Sequence, residues 1–367
     1  MKNKLIIAGD TSGDIHSFKL MKELKSFDED IQFHGIGGEN MIIEGLDSLI
    51  SLKEVSIVGF WEVAKNYFFF KNLIQKVEEI IIEKKIDLFI AVDFPGFNRE
   101  IAKFAKSKGI PVIWYIAPQL WAWGENRAAK FAKNIDDLLV VFPFEEEFFR
   151  NYEINTYFVG HPLLDIPEFQ NTNVESHIRE NSILLMPGSR KQELKSHLPI
   201  LLEVNKLVKE NLKDFKVILT IPKSLESALN NDFEKDNKIQ ISFNSKQQML
   251  TSKAGVVKTG TSNLEACLAE LPFVMFYHTS ALTYLLGRQL VKLDYLSLVN
   301  ILSKKSVVKE LIQKDANPKQ IFHEIQKILM DEEYNASMIR SFNSIRGYLG
   351  DSGASRKAAE YINLKYF

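Results

Sequence analysis

Short unbroken apolar runs alternate with amphipathic stretches along the whole chain. Lys4–Ala8, Gln32–Ile36, Asp87–Asp93, Pro111–Ile116, Leu138–Phe142 and Thr156–Val159 read as buried strands with helical segments between most of them, the pattern of a parallel sheet. Residues 164–181 break the rhythm, with Asn171, Thr172, Asn173 and Ser176 and no strand or long helix pattern, and read as a linker. Alternation restarts at Ser182–Met186 and continues through Phe215–Thr220, Ile239–Phe243, Ala254–Val257 and Phe273–Phe276; residues 318–367 read as helices. The pattern predicts two doubly wound α/β domains, 1–163 and 182–346. A helix within 347–367 is a candidate completion of the first.

Candidate chemistry clusters where these strands end. The run Leu88–Val92 stops at Asp93 and a Pro-Gly turn, which delivers a carboxylate to the rim where ligands of such folds bind. Asp93 either faces substrate there or only caps the following helix and its Phe94–Asn98 turn. After the first strand, Gly9-Asp10-Thr11-Ser12-Gly13-Asp14 is a small-residue loop that lets backbone approach a ligand, but its spacing is not the dinucleotide fingerprint. Gly35–Gly38 is a second glycine loop, for which turn geometry is a sufficient explanation. Trp121 and Trp123 straddle one alanine at the same rim and either stack on a sugar or pack a core. His161 lies in the turn after Val159, as a ligand contact or a structural histidine.

In the second half, Pro187-Gly188-Ser189-Arg190 opens a helical sequence toward Leu207, with Pro199 as a candidate break. Ser189 and Gln192 fit a capping box that leaves free N–H groups and a helix dipole facing the loop, and Arg190 adds charge for a diphosphate. The spacing and missing lysine exclude a Walker A loop. Farther on, Gly260-Thr261-Ser262-Asn263-Leu264-Glu265 is a small-residue turn entering a helix. Its hydroxyls and N–H groups suit phosphate and Glu265 suits ribose hydroxyls, unless the acid merely favours the dipole.

Residues 60–84 carry one apolar helical stripe, Val63, Tyr67, Phe70, Ile74, Val77 and Ile81, that would dock on the sheet. Trp61 and Phe68 project nearly opposite it beside Lys65 and Lys71, with Phe69 on a flank. Outward aromatics among lysines suit an apolar ligand or a bilayer interface, unless a neighbouring helix covers them.

Composition narrows the classes. The chain has 367 residues, 46% hydrophobic, with 46 basic against 47 acidic side chains and a formal net charge of -1, so no overall field recruits nucleic acid or anionic membrane. The single cysteine, Cys267, excludes an intramolecular disulfide and a cysteine metal cluster and fits a reducing, cytoplasmic compartment. No histidine-carboxylate metal spacing stands out. The N-terminal apolar run is too short for a signal sequence and no run reaches membrane-spanning length. A soluble or peripheral protein is expected.

An acid at the strand ends of one half and a nucleotide seat in the other make a GT-B glycosyltransferase, with two Rossmann-like domains facing a central cleft, the expected layout. The motifs Ala8–Asp14, Val92–Asn98, Pro118–Trp123, Phe142–Glu145, Phe158–His161, Pro187–Arg190, Gly260–Glu265 and Tyr295–Asn300 resemble, in the same order, those of lipid-A-disaccharide synthases. The likeness covers about Lys4 to Pro318. Departures are Asp10 for the more usual glutamate, Gly96 for an acid, Val299 for a proline, and Lys305 where arginine is typical.

The resemblance implies an inverting transfer of 2,3-diacylglucosamine from its UDP conjugate to 2,3-diacylglucosamine 1-phosphate, giving a β(1→6) disaccharide 1-phosphate and UDP, with no metal or other cofactor. It implies Asp93 as the essential acid, acting as general base. Gly188, Ser189, Arg190, Gly260, Thr261, Ser262, Glu265 and Asn300 would hold the donor, and Asp10, Ser12, Gly13, Trp121, Trp123 and His161 the acceptor or cleft. With lipid substrates, Trp61, Phe68, Phe69, Lys65 and Lys71 become the contact with the inner face of the bacterial inner membrane. No nucleic-acid partner is expected, and an oligomer is left open. Rival readings are another UDP-sugar transferase or an epimerase of the same fold, and a non-enzymatic nucleotide-binding scaffold.

Overall fold

The structure is a computed structural model that describes residues 2–52, 67–170, 179–229, 232–280, 284–285 and 293–367. It divides into two units, Met1–Asp165 with Asp351–Phe367, and Ile166–Gly350. The first is built on strands β1 (Lys2–Ala8), β2 (Ile31–Gly37), β3 (Leu46–Ser51), β4 (Leu88–Val92), β5 (Val112–Tyr115), β6 (Asp137–Val140) and β7 (Asn155–Phe158). They form one parallel sheet in the order β3-β2-β1-β4-β5-β6-β7. The second unit contains β8 (Glu180–Met186), β9 (Lys216–Thr220), β10 (Gln240–Ser242), β11 (Ser252–Lys258), β12 (Phe273–Tyr277) and β13 (Glu310–Ile312). Their parallel order is β10-β9-β8-β11-β12-β13.

Every central strand is buried on both faces, as parallel sheets covered by crossover helices require. β4 is wholly buried, and Leu5, Ile7, Phe89, Ala91, Val112, Trp114, Leu138 and Val140 make one core with Val77, Ile81 and Ile101 of the covering helices. Ile183, Leu185, Val217, Leu219, Val256, Val274 and Phe276 do the same in the second unit with Leu194, Leu201 and Val204. The apolar runs therefore predicted the central strands. The edge strands β3 and β13 escape that reading because they are mostly half-buried, so their sequences lack an unbroken apolar run.

The stretch 164–181 is not a plain linker. Leu163, Leu164 and Phe169 are buried, a short helix spans Pro167–Gln170, and β8 already begins at Glu180; residues 171–178 lie outside the described set. The Asp165 carboxylate accepts the N–H groups of Gly353, Ala354 and Ser355, which starts the terminal helix Ala354–Tyr366. That helix is fastened to the first unit by Asp137, fully buried on β6, which accepts from Asn155, Tyr361, Lys365 and Tyr366. A buried carboxylate is costly unless paired, and here four donors meet it. Pro199 does not break its helix, which runs Lys191–Asn211 with the proline exposed.

Candidate functional site

In each sheet the strand order reverses at one place, between β1 and β4 and between β8 and β11. Ligands of doubly wound folds bind outside the carboxyl ends at such switch points. Ala8 pairs with Val92, so Gly9 and Asp93 leave the first sheet side by side. The loops after β8 and β11 leave the second sheet in the same way, at Pro187 and Thr259.

The backbone turns sharply at the first switch point. Asp93 and Phe94 have φ of 45° and 49°, and Ile116, at the end of the neighbouring β5, has φ of 67°. Left-handed non-glycine residues store roughly 1–3 kcal/mol each and persist only where surroundings enforce them. Two contacts do so here. Gly9 has no Cβ, and the Phe94 ring occupies the space that a Cβ would need. Asn98, fully buried, donates its side-chain amide to the backbone carbonyls of Asp93 at 2.9 Å and Ile7 at 3.2 Å.

Asp93 does not cap the helix Pro95–Ser107. The cap residue is Phe94, whose carbonyl takes the N–H groups of Phe97 and Asn98. Burial pushes the Asp93 carboxyl up to about 6, the nearby Asp10 carboxylate adds to the rise, and the Phe94 N–H partly opposes it. A carboxylate poised near neutral pH at a ligand crevice is the profile of a general base.

Asp10 caps the helix Thr11–Phe27, accepting from Gly13 N at 2.7 Å and Ser12 Oγ at 2.9 Å. The loop's second acid is structural: buried Asp14 accepts from Gly38 N, Asn40 N, Asn40 Nδ2 and Met41 N, and so fixes the Gly35–Gly38 loop. Trp121 donates Nε1 to buried Glu145 at 3.0 Å and meets Phe144 edge-on, whereas Trp123 is exposed with Arg127 over its ring. His161 is buried against Phe142, accepts the Leu163 N–H at Nδ1, and is held neutral because burial drops its pKa to about 3.

At the second switch point the structure corrects the expected capping box. The helix starts one residue later than the Ser189 cap requires: Arg190 is the extended N-cap, and Glu193, not Gln192, closes the turn. Glu193 Oε2 accepts from Ser189 N at 3.0 Å and Arg190 N at 3.3 Å, so these two N–H groups are taken. A charged carboxylate outcompetes a neutral amide for them. Arg190 itself is largely exposed, its Nη1 3.7 Å from Glu193 Oε1. Gly260, at φ 129°, precedes the helix Thr261–Leu268, whose exposed Thr261 and half-buried Ser262 and Glu265 stand at the same rim. Burial raises the Glu265 carboxyl, with Lys246 opposing.

Asn300 has a different place from the one its motif implied. It is fully buried; its amide donates to Val308 O and Glu310 Oε1, and its oxygen accepts from Val307 N and Val308 N, all within 2.8–2.9 Å. All its hydrogen-bonding capacity is internal here, so it holds the loop that leads into β13. Of the outward face on the helix Tyr67–Glu83, Phe68 is 76% exposed and Lys71 exposed, while Phe69 packs partly on the core beside Phe70. Trp61 and Lys65 lie outside the described residues. Among the described residues no helix is long and apolar enough to cross a membrane, and no group of three histidine, cysteine or acidic side chains could hold a metal. The structure gives roles to Asn98, Asp14 and Glu193, which lie within or beside the quoted motifs but are marked only by partners distant in sequence or by a one-residue register.

The model of the lipid-A-disaccharide synthetase family matches residues 5–359. Curated lipid-A-disaccharide synthases from Trichlorobacter lovleyi and Syntrophus aciditrophicus are 33% and 34% identical, covering 98% and 97% of this chain and 97% and 95% of those proteins. Among solved structures, the UDP-GlcNAc 2-epimerase of Neisseria meningitidis bound to UDP-GlcNAc aligns with a TM-score of 0.63 at 13% identity over 100% of both chains. The calicheamicin glycosyltransferase aligns at 0.65 and 14% identity over 99% and 98% of the two chains. These likenesses establish the GT-B fold.

Proposed function

The chain belongs to the lipid-A-disaccharide synthetase family, and on that premise we propose which molecules this glycosyltransferase joins and which residues join them. The donor is UDP-2,3-diacylglucosamine and the acceptor 2,3-diacylglucosamine 1-phosphate. The acceptor 6-hydroxyl attacks the anomeric carbon, the carbon–oxygen bond to UDP breaks, and a β(1→6) disaccharide 1-phosphate leaves with UDP. Asp93 takes the hydroxyl proton. Arg190 and the N-termini of the helices Lys191–Asn211 and Thr261–Leu268 offset the charge that grows on UDP, with Glu265 on the ribose hydroxyls. The reaction so drawn uses no cofactor.

The observation that carries this reading is Asp93, a half-buried carboxylate with its pKa raised to about 6, at the switch point of the first sheet. Both substrates carry acyl chains, so we place the enzyme on the inner face of the bacterial inner membrane, with Phe68 and Lys71 as part of the contact. Incubating the enzyme with both acylated substrates and weighing the product tests the reaction. A disaccharide 1-phosphate formed with one UDP per turnover is expected; transfer only to a water-soluble acceptor, or epimerisation of the donor, would replace it.

A further inference from the structure

The second switch point already holds an anion. Glu193 folds back over the loop that precedes its own helix, with Oε2 on the N–H groups of Ser189 and Arg190 and Oε1 2.9 Å from Lys258 Nζ. It covers Gly188, which has φ of 117° and where a Cβ would collide with the carboxylate. Burial raises the Glu193 carboxyl, but Lys258 and Arg190 outweigh it, and the group lies below the usual carboxylate range. Lys258 is the last residue of β11 and leads directly into Thr259-Gly260, so its ammonium stands between the loop after β8 and the loop after β11. Its side chain is 19% exposed and that of Glu193 14%, a pair largely but not fully shielded from water.

The arrangement is the one that a diphosphate needs: an ammonium and two converging N–H groups at the mouth of two helices. We propose that Lys258 is a diphosphate ligand of this enzyme and that Glu193 is its placeholder, displaced when the nucleotide arrives. This rests on the UDP reading of the second unit given above. In the free protein Glu193 neutralises Lys258 and satisfies the Ser189 and Arg190 N–H groups. A diphosphate oxygen takes over these donors, and the carboxylate, repelled by the incoming charge, swings to solvent. The displaced pairing reduces affinity for UDP and hence favours its release after transfer.

Titrations of the full chain with UDP and with uridine separate the claims. Glu193→Gln removes the competing charge, so UDP should bind about tenfold tighter, Lys258→Met should bind it about tenfold weaker, and uridine should bind all forms alike, since one charge-assisted hydrogen bond is worth about that factor. Weaker or unchanged UDP binding by a folded Glu193→Gln protein, checked by its melting curve, would overturn the placeholder. Should that variant not fold, unchanged UDP affinity in Lys258→Met overturns the assignment by itself. Failure of the parent protein to bind either UDP or uridine would instead remove the nucleotide reading on which both stand.

Discussion

Asn98 donates its side-chain amide to the main-chain carbonyl of Asp93 at 2.9 Å, from a position with no exposed surface. The same amide reaches Ile7 O at 3.2 Å, so one side chain ties the end of β4 to β1 and holds Asp93 in its left-handed turn. Asn98→Leu keeps the branched shape but leaves both carbonyls without this donor. Stability should fall by about 1–3 kcal/mol in urea unfolding. Turnover should fall at least tenfold with little change in KM, because the misplaced group acts in the chemical step. Loss of stability with unchanged turnover would make Asn98 purely structural.

The raised pKa of Asp93 fixes the acid limb of the pH profile. Because the ionised form is the base, kcat/KM should rise with pH and level off above about 6. Asp10→Asn keeps a side chain able to cap the first helix but removes the like charge, so the limb should move toward lower pH. A limb that stays in place would assign the whole shift to burial.

His161 makes stability pH-dependent in a stated direction. The folded protein keeps it neutral down to about 3, whereas the unfolded chain protonates it below about 6.5. Between these values the unfolded state binds the extra proton. The stability that His161 contributes is therefore fully present above about 6.5 and declines by about 1.4 kcal/mol per pH unit as pH falls through the window. His161→Gln should show a shallower decline between pH 6.5 and pH 5 in urea midpoints. His16, whose own pKa burial drops to about 4, contributes in the same sense and remains in that variant.

Sequence marked the strand-end rim better than the supports beneath it. Asp93 and the two glycine turns were legible because an apolar run that ends in a polar turn has few interpretations in a parallel sheet. Asn98 was not, because its partners Ile7 and Asp93 become neighbours only once β1 and β4 pair. Glu193 was missed for a smaller reason: the cap falls at Arg190, one residue after the serine that pattern reading favours. Asn300 shows the converse, a residue whose motif marks it for the site while its burial and four internal hydrogen bonds give it to the loop.

That contrast is itself testable. Asn300→Ala leaves Val307 N, Val308 N and Glu310 short of partners, and an unsatisfied buried group costs about 1–3 kcal/mol. A lower melting temperature should be its main effect. A large rise in the Kd for UDP at unchanged stability would restore Asn300 as a direct ligand.

For the proposed membrane contact, Phe68 and Phe69 should behave differently although they are adjacent. Phe68→Ser should reduce co-sedimentation with anionic vesicles, since burying one large side chain contributes roughly 1.5–3 kcal/mol. Phe69→Ser should lower the melting temperature, because that ring packs on the core. Equal vesicle binding by the parent and a folded Phe68→Ser protein would move the contact elsewhere.

The proposed base is tested most directly by the rate of disaccharide formation from the two acylated substrates in Asp93→Asn against the parent, with UDP affinity and melting temperature measured on the same preparations. A general base supplies about 10²–10⁴-fold, so turnover should fall by that factor while UDP binding and folding stay as they are. Near-parental turnover by a folded Asp93→Asn enzyme would contradict the assignment.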